Sequence, residues 1–170
     1  MSLLPTIGAV DQDTGFYNGA AKTSYRNAST AILTNEADAP TSAKIMSFGG
    51  WVKKLKVGVY SNLFSGVIAG SGHASPLYFD ANDKLNVYSY TGSAYTFEYT
   101  TNRLFRDTSA WYHIWVEINS TQATNATANR VKIYVNGIRE TSFATGSNIA
   151  DGTPDIRGYA TDGAVFTFGH

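Results

Sequence analysis

Two runs of alternating residues, WYHIWVEI (111–118) and VKIYV (131–135), constrain this chain more than any other feature in it. Successive side chains of an extended strand point to opposite faces. Tyr112, Ile114, Val116 and Ile118 therefore share one face of the first run, and Trp111, His113, Trp115 and Glu117 the other. The second run leads into Asn136-Gly137, a pair suited to the type I′ turn, whose two central residues both need positive φ. The segment VKIYVNGIRETSF (131–143) thus predicts a hairpin.

Similar signals recur upstream. KIMSFGGWVKKL (44–55) is strand material, with Gly49-Gly50 marking a bulge or a close backbone approach. NLFSGVIAG (62–70) is a short strand, and LYFD (77–80), the turn ANDK and LNVYSYT (85–91) form a hairpin. Gly92-Ser93 turns the chain into AYTFEYT (94–100), residues 104–109 are a polar connection, and AVFTFGH is a final strand after a Gly/Asp/Thr-rich loop over 144–164. TNEADAPTSA (34–43) reads as a loop, because Pro40 cuts short any helical start. Residues 21–31 suit a helix or a strand equally. Residues 1–20 show no periodicity and read as an N-terminal arm, leaving 21–170 as a single domain. Short strands between turns, with no amphipathic helix for a parallel crossover, predict an all-β, antiparallel two-sheet sandwich.

Composition narrows the function. Lys+Arg and Asp+Glu are both 13, so no basic surplus exists to drive binding to a phosphate backbone, and nucleic acid is disfavoured as a partner. With no cysteine, neither disulfides nor thiolate metal sites are available. The N-terminal MSLLPTIGAV lacks the pattern of a signal peptide, and no run approaches the ~18 apolar residues of a spanning helix, so membrane insertion is not expected.

The phrases W-V-K (51–53), F-D-A-N-D-K-L (79–85), F-R-D-T-S-A-W-Y-H-I (105–114) and N-R-V-K-I-Y-V-N-G (129–137) resemble laminin-G-like domains of the concanavalin A-like lectin/glucanase superfamily. The resemblance covers roughly residues 44–143 and is closest to versions in tailed-phage structural proteins. It implies a jelly roll whose members bind glycans or proteins, some through calcium, and some of which are glycosidases. It marks a fold, and function has to be argued from sites.

Glycoside hydrolysis needs two carboxyls about the scissile bond. The candidate strand offers Glu117 with no acid two or four residues on; Asp11/Asp13 and Glu36/Asp38 have such spacing but lie in turn-rich sequence. No catalytic residue is assigned. The chain's 3 histidines, at 73, 113 and 170, are not spaced as a zinc site, and His113 reads as a hydrogen-bonded residue of the core. Asp80, Asn82 and Asp83 bring oxygens together, yet such residues are ordinary in turns, so no metal or other cofactor is assigned. The Trp111/Trp115 face is either displayed for stacking or, the heavier reading, covered like the opposite face. Tyr88 and Tyr90 alternate on one strand, and Tyr95, Phe97 and Tyr99 share a face of the next. Tyr88, Tyr90, Tyr95, Tyr99, Trp111 and Trp115 are the candidate glycan- or partner-binding residues.

The expectation is a non-enzymatic virion structural protein, a capsid decoration, head-fibre or tail-fibre component. It would be made in the host cytoplasm and bind virion proteins, further copies of itself or host-surface glycan. The alternative is a carbohydrate-binding module or glycoside hydrolase of the glucanase-like branch. Because related phage chains continue beyond a strand like AVFTFGH, the sheet is expected to be incomplete at the C-terminus, with its edge covered by another chain.

Overall fold

The structure is a computed structural model, and it describes residues 33–36, 42, 44–68, 70, 73–122, 130–147 and 165–168. The arm over 1–20, the segment 21–31 and residues 148–164 of the loop expected over 144–164 lie outside these residues. The described residues form strands and no helix. In chain order the strands are β1 (Leu33–Glu36), β2 (Ile45–Val52), β3 (Ser61–Val67), β4 (His73–Phe79), β5 (Lys84–Thr91) and β6 (Tyr95–Leu104). They continue with β7 (Tyr112–Asn119), β8 (Val131–Val135), β9 (Ile138–Arg139), β10 (Phe143–Ser147) and β11 (Val165–Phe168). A seven-stranded sheet runs β1-β11-β3-β4-β5-β6-β10 and a four-stranded sheet runs β2-β7-β8-β9. Every pairing is antiparallel. The fold is the all-β, two-sheet sandwich that the alternation predicts.

The core is what period-two patterning dictates. Ile114, Val116 and Ile118 of β7 and Val131, Ile133 and Val135 of β8 meet Leu77, Phe79, Leu85, Val87 and Phe97 of the larger sheet. Truncating a fully buried phenylalanine such as Phe79 or Phe97 removes about 3–5 kcal/mol of stability. The Asn136-Gly137 turn forms as expected, with φ of 52° and 79° and Val135 paired to Ile138. Asn136 also ties the hairpin to β7. Its N–H donates to the His113 carbonyl and its Oδ1 accepts from the His113 N–H, each at 2.8 Å.

Two expectations are corrected. Residues 34–36 and 144–147 are not loop but strand: the former belong to β1, which pairs with β11 from Leu33↔Phe168 to Glu36↔Val165, and the latter to β10, which pairs with β6. Since β11 also pairs with β3, both of its edges are filled within the chain. A second chain is not needed to cover it. The stretch LTNE carries little warning of this, because four residues with one aliphatic member show no period-two pattern.

Candidate functional site

The outward face of the seven-stranded sheet carries a row of touching tyrosines. Its origin is the alternation of β5. Leu85, Val87 and Ser89 are buried, which turns Tyr88 and Tyr90 to the opposite side. Tyr78 projects likewise from β4, between buried Leu77 and Phe79. Tyr60, just before β3, stacks on Tyr78 with ring centroids 4.5 Å apart and planes 22° apart. Tyr78 meets Tyr88 edge-on at 6.1 Å, Tyr88 meets Tyr95 edge-on at 5.3 Å, and Tyr90 meets Tyr95 at 5.1 Å. These separations lie in the range where aromatic quadrupoles attract. Within the row Tyr60 and Tyr95 are open to solvent, 57 % and 55 % exposed.

Tyr95 reaches this face by a bulge. Ser89 pairs with Phe97 and Tyr90 with Tyr95, so Thr96 is an extra residue in β6. An extra residue shifts the parity of a strand by one. Phe97 and Tyr99 therefore point into the core while Tyr95 points out. This corrects the expectation that all three share a face, and it removes Tyr99 from the contact surface. Tyr99 is buried against Phe97 and Phe143, and burial raises its phenol pKa despite the opposing charge of Arg139.

The loop that delivers Tyr60 is anchored from below. Asp83, buried and in the left-handed region at φ 66°, binds the Lys54 ammonium through Oδ1. The same oxygen accepts from the Gly58 N–H at 2.7 Å, and Oδ2 accepts from Arg106 Nε at 3.1 Å. The Lys54 hydrogen bond, then the Gly58 N–H and, more weakly, Arg106 hold the Asp83 pKa down at about 2, against the opposing effect of burial. Asp80 caps its own turn, its Oδ1 accepting from Asn82 N–H at 2.8 Å and Lys84 N–H at 2.9 Å. Asp80 Oδ1 and both carboxylate oxygens of Asp83 are thus engaged by protein donors, Asp80 in the manner of an Asx turn.

Burial is also the first cause of raised phenol pKa values along the row. At Tyr60 the neighbouring Tyr88 adds to it; at Tyr88, Tyr95 and Glu98 do. Tyr78 is raised furthest, by burial and then by Tyr60, Tyr88, Asp80 and Glu98. These hydroxyls stay protonated at neutral pH and act as neutral donors and acceptors.

The tryptophans belong to the other sheet. Trp111 and Trp115 are exposed, as is Trp51, so the outward face of the four-stranded sheet is displayed rather than covered in this chain. His113 lies on that face, its ring 5.1 Å from Trp51 and tilted by 56°, and not in the core as expected. Trp115 pairs with Gly49, and its indole lies where a Cβ on Gly49 would stand. Glu117 pairs across the ladders with Ser47 and Lys132, and Lys132 Nζ is 2.8 Å from Glu117 Oε1. The structure therefore gathers Tyr88, Tyr90 and Tyr95, adds Tyr60 and Tyr78, buries Tyr99, and puts Trp111 and Trp115 on the opposite side of the sandwich. Tyr60 carried no sequence signal, because KVGVY (56–60) has no strand period; Tyr78 was legible as a strand residue only.

No protein-family model matches the sequence, and no curated protein matches it. Solved structures with a similar arrangement include a heptameric SAP-like pentraxin from Limulus polyphemus, at TM-score 0.48 and 15% identity over 85% of this chain and 59% of that one. The LG1-3 region of the laminin alpha2 chain gives 0.48 and 12% over 82% of this chain and 25% of that one. Domains LG4-5 of the mouse laminin alpha1 chain give 0.47 and 10% over 82% and 39%. The chain spans less than two thirds of the length of each of these structures.

Proposed function

We propose that this chain is a non-enzymatic binding domain that takes neutral glycan on the tyrosine row of its seven-stranded sheet. The observation that carries this is the continuous contact Tyr60–Tyr78–Tyr88–Tyr95–Tyr90, in which the rings of Tyr60 and Tyr95 are exposed. A sugar ring has an apolar C–H face and a rim of hydroxyls. Tyrosine matches both, with a flat apolar body and a polar tip. The row is preorganised by ring–ring packing and by the Asp83 anchor under Tyr60, so little side-chain freedom is lost on binding.

The non-enzymatic assignment is supported by the surroundings of Glu117. A glycosidase of the two-carboxyl type needs a second acid within about 5–9.5 Å. The cross-strand neighbours of Glu117 are a serine and a lysine, and the lysine forms an ion pair with it. Placement on a virion, as a capsid decoration or fibre component, is supported by the resemblance of residues 44–143 to tailed-phage structural proteins.

A glycan array probed with the purified chain, with reducing-sugar release measured on each bound glycan, tests this reading. Binding without release is expected. Release of reducing sugar that is lost in Glu117→Gln would contradict it, as would the absence of any glycan binding.

A further inference from the structure

Strand β2 ends the four-stranded sheet, and its outer side is unlike the other described sheet edges. β9 is only two residues long, β1 only four, and β10 is broken by a register shift at Phe143/Thr145. Short or irregular edges resist strand addition. β2 runs eight residues as IMSFGGWV, in unbroken register with β7, with no proline and no charge inside it.

The direction of its backbone groups follows from one bond. Ser120 N–H donates to the Lys44 carbonyl, so Lys44 and the even-numbered residues after it turn their N–H and C=O towards β7. Ile45, Ser47, Gly49 and Trp51 turn theirs away from the sheet. Their side chains lie on its outward face, where Ile45 is 51 % and Trp51 59 % exposed.

We infer that β2 pairs antiparallel with β2 of a second copy of this chain, about a two-fold axis at Phe48. In that register Ile45 pairs with Trp51 of the second copy and Ser47 with its Gly49, and the reverse pairs follow by symmetry. Each is a hydrogen-bonded pair, so every outward N–H and C=O of the strand gains a partner. Slipping the register by one residue sets outward-turned groups against inward-turned ones, and a slip of two leaves outward donors at the strand end unpaired. The side chains agree with the register. The two exposed apolar residues, Ile45 and Trp51, cover each other, and Ser47 faces a residue without a side chain. At the axis Phe48, which stacks on Phe64 at 5.2 Å, meets its own copy on the inward face. A strand pair of this kind has its axis perpendicular to the sheet, so both seven-stranded sheets face the same way. If the tyrosine row binds glycan, a consequence resting on the function proposed above, the dimer is bivalent.

Sedimentation velocity on the purified 170-residue chain over a concentration series tests the pairing without any ligand, so it can fail independently of glycan binding. A monomer–dimer equilibrium is expected. Ser47→Pro removes an outward donor, makes no change to the bonds with β7, and places ring atoms against the incoming strand. It should weaken dimerisation at least ~10-fold. Ile45→Lys, whose side chain lies outside the core, should do the same if the proline variant misfolds. Amide exchange reads the register, with Ile45, Ser47, Gly49 and Trp51 protected at dimer concentrations and exchanging freely in the variants. A chain that stays monomeric, a dimer unaffected by both substitutions, or a dimer whose odd-numbered β2 amides exchange freely would each overturn the inference.

Discussion

Tyr90 and Tyr95 face each other across the β5–β6 hairpin with ring centroids 5.1 Å apart, although the regular alternation of β6 would have put Tyr95 in the core beside Phe97. The Thr96 bulge decides which tyrosines lie on the outward face and which pack in the core. Tyr95→Ala should therefore change stability by less than about 1 kcal/mol, the scale of a cross-strand pair, while abolishing most glycan affinity. Tyr99→Ala should cost about 3–5 kcal/mol, as an aromatic truncated in a core does. Urea titrations of the two variants beside the wild type check the contrast, and equal losses would place both rings in one environment.

Asp83 links acid stability to the site. Its folded-state pKa of about 2 lies below the ~3.9 of an unfolded chain, so ionised Asp83 stabilises the fold above about pH 4. That contribution is lost as pH falls from about 4 towards 2. Asp107, lowered mainly by its Ser109 hydrogen bonds, adds a drift of the same sign. Asp83→Asn should lower the melting temperature at pH 7 and flatten its fall over that acid window, since Lys54 then stays unpaired at every pH. Melting curves from pH 2 to 7 for both proteins decide it; parallel curves would assign the acid sensitivity elsewhere.

At Gly137 the backbone, not space, forbids a side chain. Its φ is 79°, and nothing stands within 4 Å of the point a Cβ would occupy. Gly137→Val should cost about 2 kcal/mol through left-handed strain, whereas Gly137→Asn should cost less because asparagine tolerates that region. Thermal melts of the pair check the order.

Gly49 is the reverse case, because a Cβ there runs into the Trp115 indole. A large aromatic lying across a glycine of an edge strand is a known way to shield that glycine. Gly49→Ala should destabilise by about 1–3 kcal/mol, the usual range for overpacking. Combined with Trp115→Ala, the same substitution should cost clearly less. Additive losses in this double-mutant cycle would mean that the two residues are not in contact.

The sandwich was legible because β7 and β8 each bury one parity of residues, and a buried face fixes register. The Asn136-Gly137 hairpin was legible because its chemistry is local. The candidate site was legible only in part. Tyr88 and Tyr90 follow from alternation, but Tyr95 depends on one extra residue, Thr96, that no pattern announces. Tyr60 joins the row through a loop held by Asp83, whose role is set by Lys54 and Arg106, residues distant in sequence. Strand β1 escaped notice because its neighbour β11 lies at the far end of the chain.

On the function proposed above, one face of the sandwich, the tyrosine face, binds glycan. Glycan-array profiles of Tyr60→Ala and Tyr95→Ala, set against Trp111→Ala and Trp115→Ala on the other side of the sandwich, test it. Both tyrosine variants should lose the glycans bound by the wild type, and both tryptophan variants should keep them. Retention by the tyrosine variants with loss in the tryptophan variants would contradict it.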